Sequence, residues 1–282
     1  MRRNSSAKTL EELGYMREAG LVVAEVHRAL AEAAAPGVTT AELDALTYDV
    51  TRDLGAKPNF LNYQGFPASV CISVNDEIVH GIPGDRVLKP GDIVSFDCGA
   101  VVRRAGLPWH SDAALTVVLD GPDRDSVKKR EELSLVTKHS LWAGIAAAAT
   151  AKNVGQIGAA IEDDVESYSK QFGWVPDILE GYSGHGIGNA LHEDPQVYNY
   201  RTRGRSPRLS PGMVICIEPM LTEGSQRSSV LADDWTVVTQ DGLASAHWEH
   251  TVAIMDGGIS VLTAPDFGVE GLAPYGITPL EV

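Results

Sequence analysis

The sequence predicts an α/β fold of the α+β kind, built as an internal duplication in which a helix pair and a β-rich region occur twice. Apolar spacing alternates between helical and strand patterns along the chain, and a carboxylate-bearing motif occurs in both halves. With 282 residues, 44% of them hydrophobic, the chain can bury one large core without disulfides. We expect a single domain over 1–282, with halves at about 9–125 and 126–262 and a tail at 263–282.

Helical spacing opens each half. The first predicted helix ends before Pro36 and Gly37 and carries its apolar residues at helical intervals, at Leu13, Met16, Val23, Val26 and Leu30. Thr39, with Glu42 three residues later, forms a capping box for a second helix, which Gly55 ends. Apolar periodicity over 131–151 and 157–172 predicts the second helix pair.

Short β-branched runs indicate the strands. Those of the first half lie at 70–74, 93–98 and 115–119, and those of the second half at 214–217, 235–239 and 251–254. Pro-Gly dipeptides at 83–84 and 90–91 mark turns within the first β-rich region. Together with the helices, these runs give the order helix pair, sheet, helix pair, sheet.

In each half, a Pro-Gly turn leads into an apolar strand that ends in a carboxylate. The pattern begins with L-x-P-G, and its two copies are 88–97, ending in Asp97, and 209–218, ending in Glu218. The tripeptide H-G-I precedes each copy, at 80–82 and 185–187. Pro-Gly turns before strands also arise by chance, but the shared carboxylate and tripeptide favour a duplication. Two such halves facing each other would bring both sets of polar residues to one cleft.

Five residues of the metal-ligand type are expected in that cleft. Asp97 ends one strand of a predicted hairpin and Asp112 begins the next. Directly opposed Cβ atoms lie about 5 Å apart, so two ionised aspartates would repel there unless a cation lay between them. His185, Glu218 and Glu249 come from the second half. Four carboxylates and one imidazole fit two divalent ions of Co, Mn, Fe or Zn, whose charge would balance that of the site.

Composition narrows the setting of the protein. Cys71, Cys98 and Cys216 are odd in number and far apart, which indicates reduced core thiols in a cytoplasmic protein and no thiolate zinc site. No apolar segment at the start resembles a secretion signal, and no run is long enough for a membrane span. A formal net charge of -15 argues against DNA as a partner. We also expect a monomer.

Six short motifs carry a resemblance to a known family. They are V-H-G-I-P at 79–83, S-F-D-C-G at 95–99, G-H-G-I-G at 184–188, H-E-D-P-Q-V at 192–197, I-E-P-M at 217–220 and W-E-H-T at 248–251. Over about 9–262 the chain resembles the type I methionine aminopeptidases. The resemblance implies the pseudo-symmetric pita-bread fold, a mostly antiparallel sheet flanked by helix pairs. It also implies removal of the initiator methionine from nascent proteins, with a preference for a small second residue.

The same resemblance implies a role for each site residue. The ligands of two metal ions would be Asp97, Asp112, His185, Glu218 and Glu249, with Asp112 and Glu249 bridging. Glu218 would handle the protons of the attacking water, His80 would contact the substrate backbone, and His192 would polarise the carbonyl. The apolar methionine pocket would be formed by Tyr63, Phe66, Cys71, Leu191 and Trp235.

Two features depart from the family pattern. The connection 101–111 is longer than usual, and Ser111 stands where a glycine normally precedes the second aspartate, so the register of Asp112 needs testing. Leu191 occupies a position that is commonly aromatic. Two other functions remain as alternatives: a proline-specific pita-bread peptidase, whose chains usually carry a large extra N-terminal domain, and an inactive binding module, which tends to lose ligands.

A cluster of arginines suggests a partner besides nascent polypeptide N-termini. Arg201, Arg203, Arg205 and Arg208 lie within eight residues, interrupted by Gly204 and Pro207, which indicates an exposed loop. One interpretation is a merely solvated loop in an acidic protein. The other is a cationic patch that contacts ribosomal RNA, so that ribosome binding would weaken with salt.

Overall fold

The computed structural model describes residues 7–282. The first half consists of α1 (Leu10–Ala33), α2 (Thr40–Asp53), β1 (Lys57–Pro58), β2 (Cys71–Val74), β3 (Glu77–Val79), β4 (Ile93–Arg104) and β5 (Leu107–Val118). The remainder consists of α3 (Arg124–Ala148), α4 (Gly155–Tyr168), β6 (Asp177–Ile178), β7 (Gly184–Gly186), β8 (Glu193–Val197), β9 (Val214–Ile217), β10 (Met220–Thr222), β11 (Ser228–Val230), β12 (Val237–Thr239), β13 (Ser245–His247), β14 (Glu249–Met255), β15 (Gly258–Val261) and α5 (Val269–Leu272).

Side-chain caps determine where the helices begin. The predicted capping box of Thr39 and Glu42 starts α2, and an equivalent box of Thr9 and Glu12 starts α1. The third helix begins seven residues before the predicted start at 131, because the Asp123 carboxylate accepts a hydrogen bond from the Ser126 backbone. Its polar first two turns hid that start from the apolar pattern.

The main sheet is antiparallel and has the symmetry that the duplication predicts. Its order is β1-β4-β5-β14-β9-β7-β8, with β2 paired to β4 and β15 paired to β14. The succession β2, β4, β5 from one half therefore meets the succession β7, β9, β14 from the other at a central pair of strands. Both Pro-Gly turns have the same shape, since Gly91 and Gly212 have φ of 89° and 87°. The predicted fold class and its internal duplication are confirmed.

The β4–β5 hairpin differs from its predicted form. Its strands continue to a two-residue turn at Ala105 and Gly106, both with positive φ, instead of ending on either side of 101–111. In the resulting register Asp97 pairs with Ala114 and Asp112 pairs with Gly99. The prediction that the two aspartates are directly opposed was therefore wrong, because they are diagonal neighbours on one face of the hairpin.

The helices cover two adjoining hydrophobic cores. The first core joins α1 and α2 to β2, β4 and β5, and the second joins α3 and α4 to β9, β14 and β15. All three cysteines are buried and free, and Cys71, Cys98 and Cys216 belong to the first core. Over the described residues, no helix combines the length and hydrophobicity that a membrane span needs.

Helix α1 is fastened to the chain that follows β15. Arg17 is 7% exposed and its guanidinium donates to the carbonyl oxygens of Leu262, Ala264 and Pro265. One turn further along, Gly20 lies so close that an added Cβ would be 2.2 Å from the Leu262 oxygen. Helix α1, which belongs to the first half, is thus hydrogen-bonded to and packed against residues 262–265, which follow the last strand of the second half. These contacts join the two halves.

We predict opposite effects for two Gly→Ala substitutions in this helix. Gly20→Ala should lower the free energy of unfolding by about 1–3 kcal/mol, because the methyl group would displace α1 from a backbone carbonyl. Gly14→Ala is the matched control: its added Cβ meets nothing within 4 Å. It should raise the free energy of unfolding by about 0.5–1 kcal/mol. Urea unfolding measures both, and stabilisation by Gly20→Ala would contradict the close approach.

Candidate metal centre and substrate cavity

The predicted polar residues meet in one cavity of about 360 Å³. Its polar wall contains the five predicted ligands and both predicted catalytic histidines, namely His80, Asp97, Asp112, His185, His192, Glu218 and Glu249. Its remaining wall includes four of the five residues predicted for the methionine pocket, Tyr63, Phe66, Cys71 and Trp235. Both halves of the chain contribute to each wall, so the site forms only when the two halves are assembled.

The prediction for Leu191 needs correction, and the pattern missed other residues. Leu191 is 2% exposed and packs in the first core, and it is not among the described residues that line the cavity. The missed residues of the wall are Phe60, Gln64, Val79, Tyr182, Ser183 and Met220. Val79 and Met220 belong to the V-H-G-I-P and I-E-P-M motifs, whose apolar positions could have indicated them. The others lie in loops or, for Gln64, in a single 3-10 turn, where no periodicity indicates side-chain direction.

Strand register brings the carboxylates together. Ala114 of β5 pairs with Asp97 of β4 on one side and with Glu249 of β14 on the other, so its small side chain separates two acids on one face. Asp112 lies two residues before Ala114 and shares that face. Carboxylate oxygens of Asp97, Asp112 and Glu249 lie within 4.8 Å of one another. Three acids from three neighbouring strands therefore surround one small volume.

The register of Asp112, which the long hairpin left in doubt, is held by its own backbone. The Asp112 amide donates to the Thr251 hydroxyl at 2.9 Å, and that hydroxyl donates to the Asp112 carbonyl at 2.7 Å. Both atoms of the peptide backbone are thus bonded to β14, the strand that carries Glu249. A shift of one residue would break both bonds and turn the carboxylate to the other face.

A second group of donors adjoins the first. Ligand-type atoms of His185, Cys216 and Glu249 lie within 4.8 Å of one another, and His185 Nε2 is 3.7 Å from a Glu218 oxygen. Glu249 belongs to both groups. The His185 Nδ1 atom lies 2.9 Å from the Gly186 carbonyl, which can only accept a hydrogen bond. Nδ1 therefore carries the proton and Nε2 has its lone pair free for a cation.

Burial and mutual repulsion shift the pKa values of the ionisable groups in this site. Burial, reinforced by the neighbouring acids, raises the pKa of Asp97, Glu218 and Glu249 well above the usual range, and burial raises the pKa of Asp112 to about 7. Burial also lowers the pKa of His185 to about 4, which keeps its imidazole neutral. Carboxylates that repel and an imidazole that stays neutral together form a donor set suited to cations.

Unpartnered oxygens show how well a divalent cation would fit. Within 7–282, Asp97 Oδ1, Asp112 Oδ1 and Glu249 Oε1 are buried without a hydrogen-bond partner. Leaving such groups unsatisfied is costly, and a cation between the carboxylates would both satisfy the oxygens and cancel the repulsion. The oxygen-rich donor set with one imidazole suits hard or borderline divalent ions.

Three histidines surround the donors without belonging to the predicted ligand set. The His192 Nδ1 atom is 2.8 Å from the Tyr63 hydroxyl, and the two rings stack obliquely. His80 has a φ of 60°, a strained backbone conformation for a residue with a Cβ, and burial lowers its pKa to about 4. His247 is fully buried with Nε2 3.9 Å from Glu218, whereas His250 bonds to Thr263 instead.

The fold and the site together define the class of protein: two related halves enclose buried carboxylates and one imidazole, a donor set suited to divalent metal. Residues 14–256 match the pattern of metallopeptidase family M24. The chain is 46% identical to methionine aminopeptidase 1 of Mycobacterium tuberculosis, over 93% of this chain and 96% of the relative. It is 45% identical to methionine aminopeptidase 1 of Bacillus subtilis, over 91% and 98% of the two chains.

Solved structures agree with these sequence relatives. The crystal structure of methionine aminopeptidase from Thermotoga maritima superposes with a TM-score of 0.83 at 38% identity, over 91% of this chain and 98% of that chain. A prolidase from Pyrococcus furiosus shares the fold alone, with a TM-score of 0.68 at 23% identity, and this chain covers 65% of it. The chain belongs to metallopeptidase family M24 and, within it, to the methionine aminopeptidases.

We predict that Asp112→Asn reduces the stabilisation of the protein by divalent metal without lowering its melting temperature in the absence of metal. Without metal, the variant should unfold at the same temperature as the unchanged protein or higher, because one buried carboxylate charge is removed. Added Mn²⁺ or Co²⁺ should raise the melting temperature of the unchanged protein but much less that of the variant. The control is Asp53→Asn, at an exposed helix end. Equal metal-induced shifts in Asp112→Asn and the control would contradict the ligand role.

Proposed function

We propose that this protein removes the N-terminal methionine from nascent polypeptides and peptides, using two divalent metal ions and favouring a small second residue. The observation that carries the proposal is that two adjoining groups of potential metal ligands share Glu249 and lie beside an apolar cavity wall. The relatives named methionine aminopeptidase cover almost the whole chain. Catalysis on two metals and recognition of an apolar side chain would then take place in the same cavity.

The five predicted ligands are the residues that would hold the metals. Asp112 and Glu249 would be shared by the two ions, as the family resemblance implies, and for Glu249 this is supported by its membership of both donor groups. Co, Mn, Fe or Zn suits the donor set. When bound, such ions polarise a carbonyl oxygen and lower the pKa of water toward neutrality.

The chain's own side chains would position the peptide and move its protons. Glu218 lies at the end of β9 beside His185, where its carboxylate can accept a proton from the attacking water and pass it to the leaving amine. With the Tyr63 hydroxyl as donor to His192 Nδ1, which is 2.8 Å away, the imidazole would carry its proton on Nε2 and donate it to the substrate carbonyl oxygen. His80, held in a strained conformation at the cavity wall, would contact the substrate backbone.

The methionine side chain would occupy the apolar part of the cavity. Phe66 and Trp235 meet edge to face with ring centroids 5.2 Å apart, and Cys71 forms part of the same wall. Burial keeps the Cys71 thiol protonated by raising its pKa, so it contributes as a small apolar group. A flexible thioether fits such a surface of rings and sulfur.

Two alternative functions are less well supported. The two prolidases and the Xaa-Pro dipeptidase share only the fold with this chain, at 21–23% identity. A binding module without activity does not need three buried carboxylates with oxygens within 4.8 Å of one another, and in the described residues each of the three has a buried oxygen without a hydrogen-bond partner. As finer parts of the proposal, we place the protein in the cytoplasm and expect a monomer that meets nascent chains at the ribosome.

We predict that His192→Ala lowers kcat on a methionyl peptide about 10²- to 10³-fold, because one donor to the developing oxyanion is lost. Metal content, measured by elemental analysis, should stay unchanged. His139→Ala is the control, since His139 pairs with Asp164 on the helices, and it should keep full kcat. Loss of metal from His192→Ala would make His192 a ligand and overturn this role.

Peptide specificity distinguishes the three functions. Release of methionine from Met-Ala-Ser should be fast and metal-dependent. Met-Lys-Ser and Met-Phe-Ser should react at least about tenfold more slowly, because a cavity of about 360 Å³ that held the methionine side chain beside two metals would leave little room for a large second side chain. Mass spectrometry of the products measures this. Preferential cleavage of proline-containing peptides, or no cleavage with any of the four metals, would favour the corresponding alternative.

A further inference from the structure

A second cavity, of about 740 Å³, lies apart from the catalytic one and shares no lining residue with it. Its walls come from the start of α4, from β8 and from the connection 198–213 between β8 and β9, and we call it the arginine groove. The residues that matter to its chemistry are Asp194, Tyr198, Arg203, Arg205, Ser206 and Arg208. Three of the four arginines of the predicted cationic loop therefore border one concavity, and their side chains are exposed.

The arginines of the groove differ from the other arginines of the protein. Six described arginines form ion pairs, namely Arg28, Arg52, Arg86, Arg104, Arg124 and Arg201. Arg17 and Arg130 donate to backbone carbonyls. Across 7–282, five arginine side chains have neither an ion-pair partner nor a backbone carbonyl partner. Three of them, Arg203, Arg205 and Arg208, line the groove, whereas Arg103 and Arg227 do not. In a protein with a net charge of -15, three unpaired arginines in one concavity form a local site for anions.

The loop that carries these arginines is fixed at both ends. Val154 donates its amide to Pro207, and Leu209 donates to Lys152, at 2.9 and 3.1 Å. Arg201, at the other end, pairs with Glu162 and Asp163 of α4. Arg201 is therefore a structural anchor, and the prediction that all four arginines form the cationic patch is corrected to three.

The donors of the groove fit phosphate better than carboxylate ligands. Arginine presents a planar fork that binds two oxygens of one phosphate, and three forks can serve several closely spaced phosphates. Ser206 accepts from the Gly155 amide at 2.6 Å, which leaves its hydroxyl proton for a ligand. Asp194 is the groove's single carboxylate. Tyr198 and Met213 add an aromatic and an apolar surface, which would suit the base of a nucleotide.

We infer that the arginine groove binds closely spaced phosphate groups, supplied by an RNA strand or by a free polyphosphate. The site is independent of the metal centre and does not rest on the proposed peptidase activity. Each of the three guanidinium groups would neutralise one phosphate, and the Ser206 hydroxyl would donate a further hydrogen bond.

Two probes test the groove: a fluorescein-labelled ten-nucleotide single-stranded RNA, followed by anisotropy, and sodium tripolyphosphate as its competitor. The RNA should bind with a log Kd that rises linearly with log salt, with a slope of about 2 for three phosphates. The triple variant Arg203→Gln, Arg205→Gln, Arg208→Gln should lose at least tenfold in affinity and most of that slope. Its peptidase activity should be unchanged, because the groove lies outside the catalytic cavity.

The matched control removes the same total charge elsewhere, with Arg28→Gln, Arg52→Gln and Arg124→Gln, which are exposed and ion-paired. It should keep the RNA affinity. Displacement of RNA by low concentrations of tripolyphosphate would identify a free polyphosphate as the better ligand, and retention of RNA would identify the strand. Equal losses in the two triple variants, or no binding of either probe at 50 mM salt, would overturn the inference.

Discussion

The main physical constraint on this structure is the burial of several like-charged carboxylates within one small volume. Asp97, Asp112 and Glu249 approach within 4.8 Å, and burial raises the pKa of each above its usual range. Without a cation this arrangement opposes folding, because the acids must either repel or take up protons. The surrounding fold therefore has to hold these groups in place against their own repulsion.

The sheet supplies that restraint through its central strands. The β5–β14 pair places Ala114 between two acids. The Thr251 hydroxyl is hydrogen-bonded to both the backbone amide and the backbone carbonyl of Asp112. Helix α1 reinforces the same region from outside, since Arg17 and Gly20 hold it against the chain after β15. A centre built on strands within two cores is more rigid than one built on loops, and rigidity keeps the donors in position before a metal arrives.

The protein separates its two kinds of charge. The acids that matter to the proposed chemistry are buried, and the lower dielectric constant there strengthens their electrostatic interaction with a cation. The unpaired arginines lie outside, in the arginine groove, where they can meet a charged partner. Strand β8 and the residue before it connect the two places, since His192 borders the catalytic cavity and Asp194 borders the groove. One segment thus serves both surfaces without mixing their charges.

Several features were determined by the sequence alone. Capping boxes determine the starts of α1 and α2 through residues only three positions apart. The repeated turn with its carboxylate indicated the duplication and the equivalence of Asp97 and Glu218, because each copy of the motif is ten residues long. The family motifs indicated the residues of the polar wall, all of which reached one cavity. Local signals are sufficient wherever the interacting groups are near neighbours.

Tertiary structure decided what depends on distant parts of the chain. The diagonal placement of Asp97 and Asp112 follows from a hairpin that continues through a polar, proline-containing stretch, which local propensity reads as a connection. Leu191 is in the core instead of the cavity wall, and Arg201 is bound to α4 instead of facing a partner. Side-chain direction and ion pairing are set by segments that meet only after folding, and no short pattern in the sequence contains them.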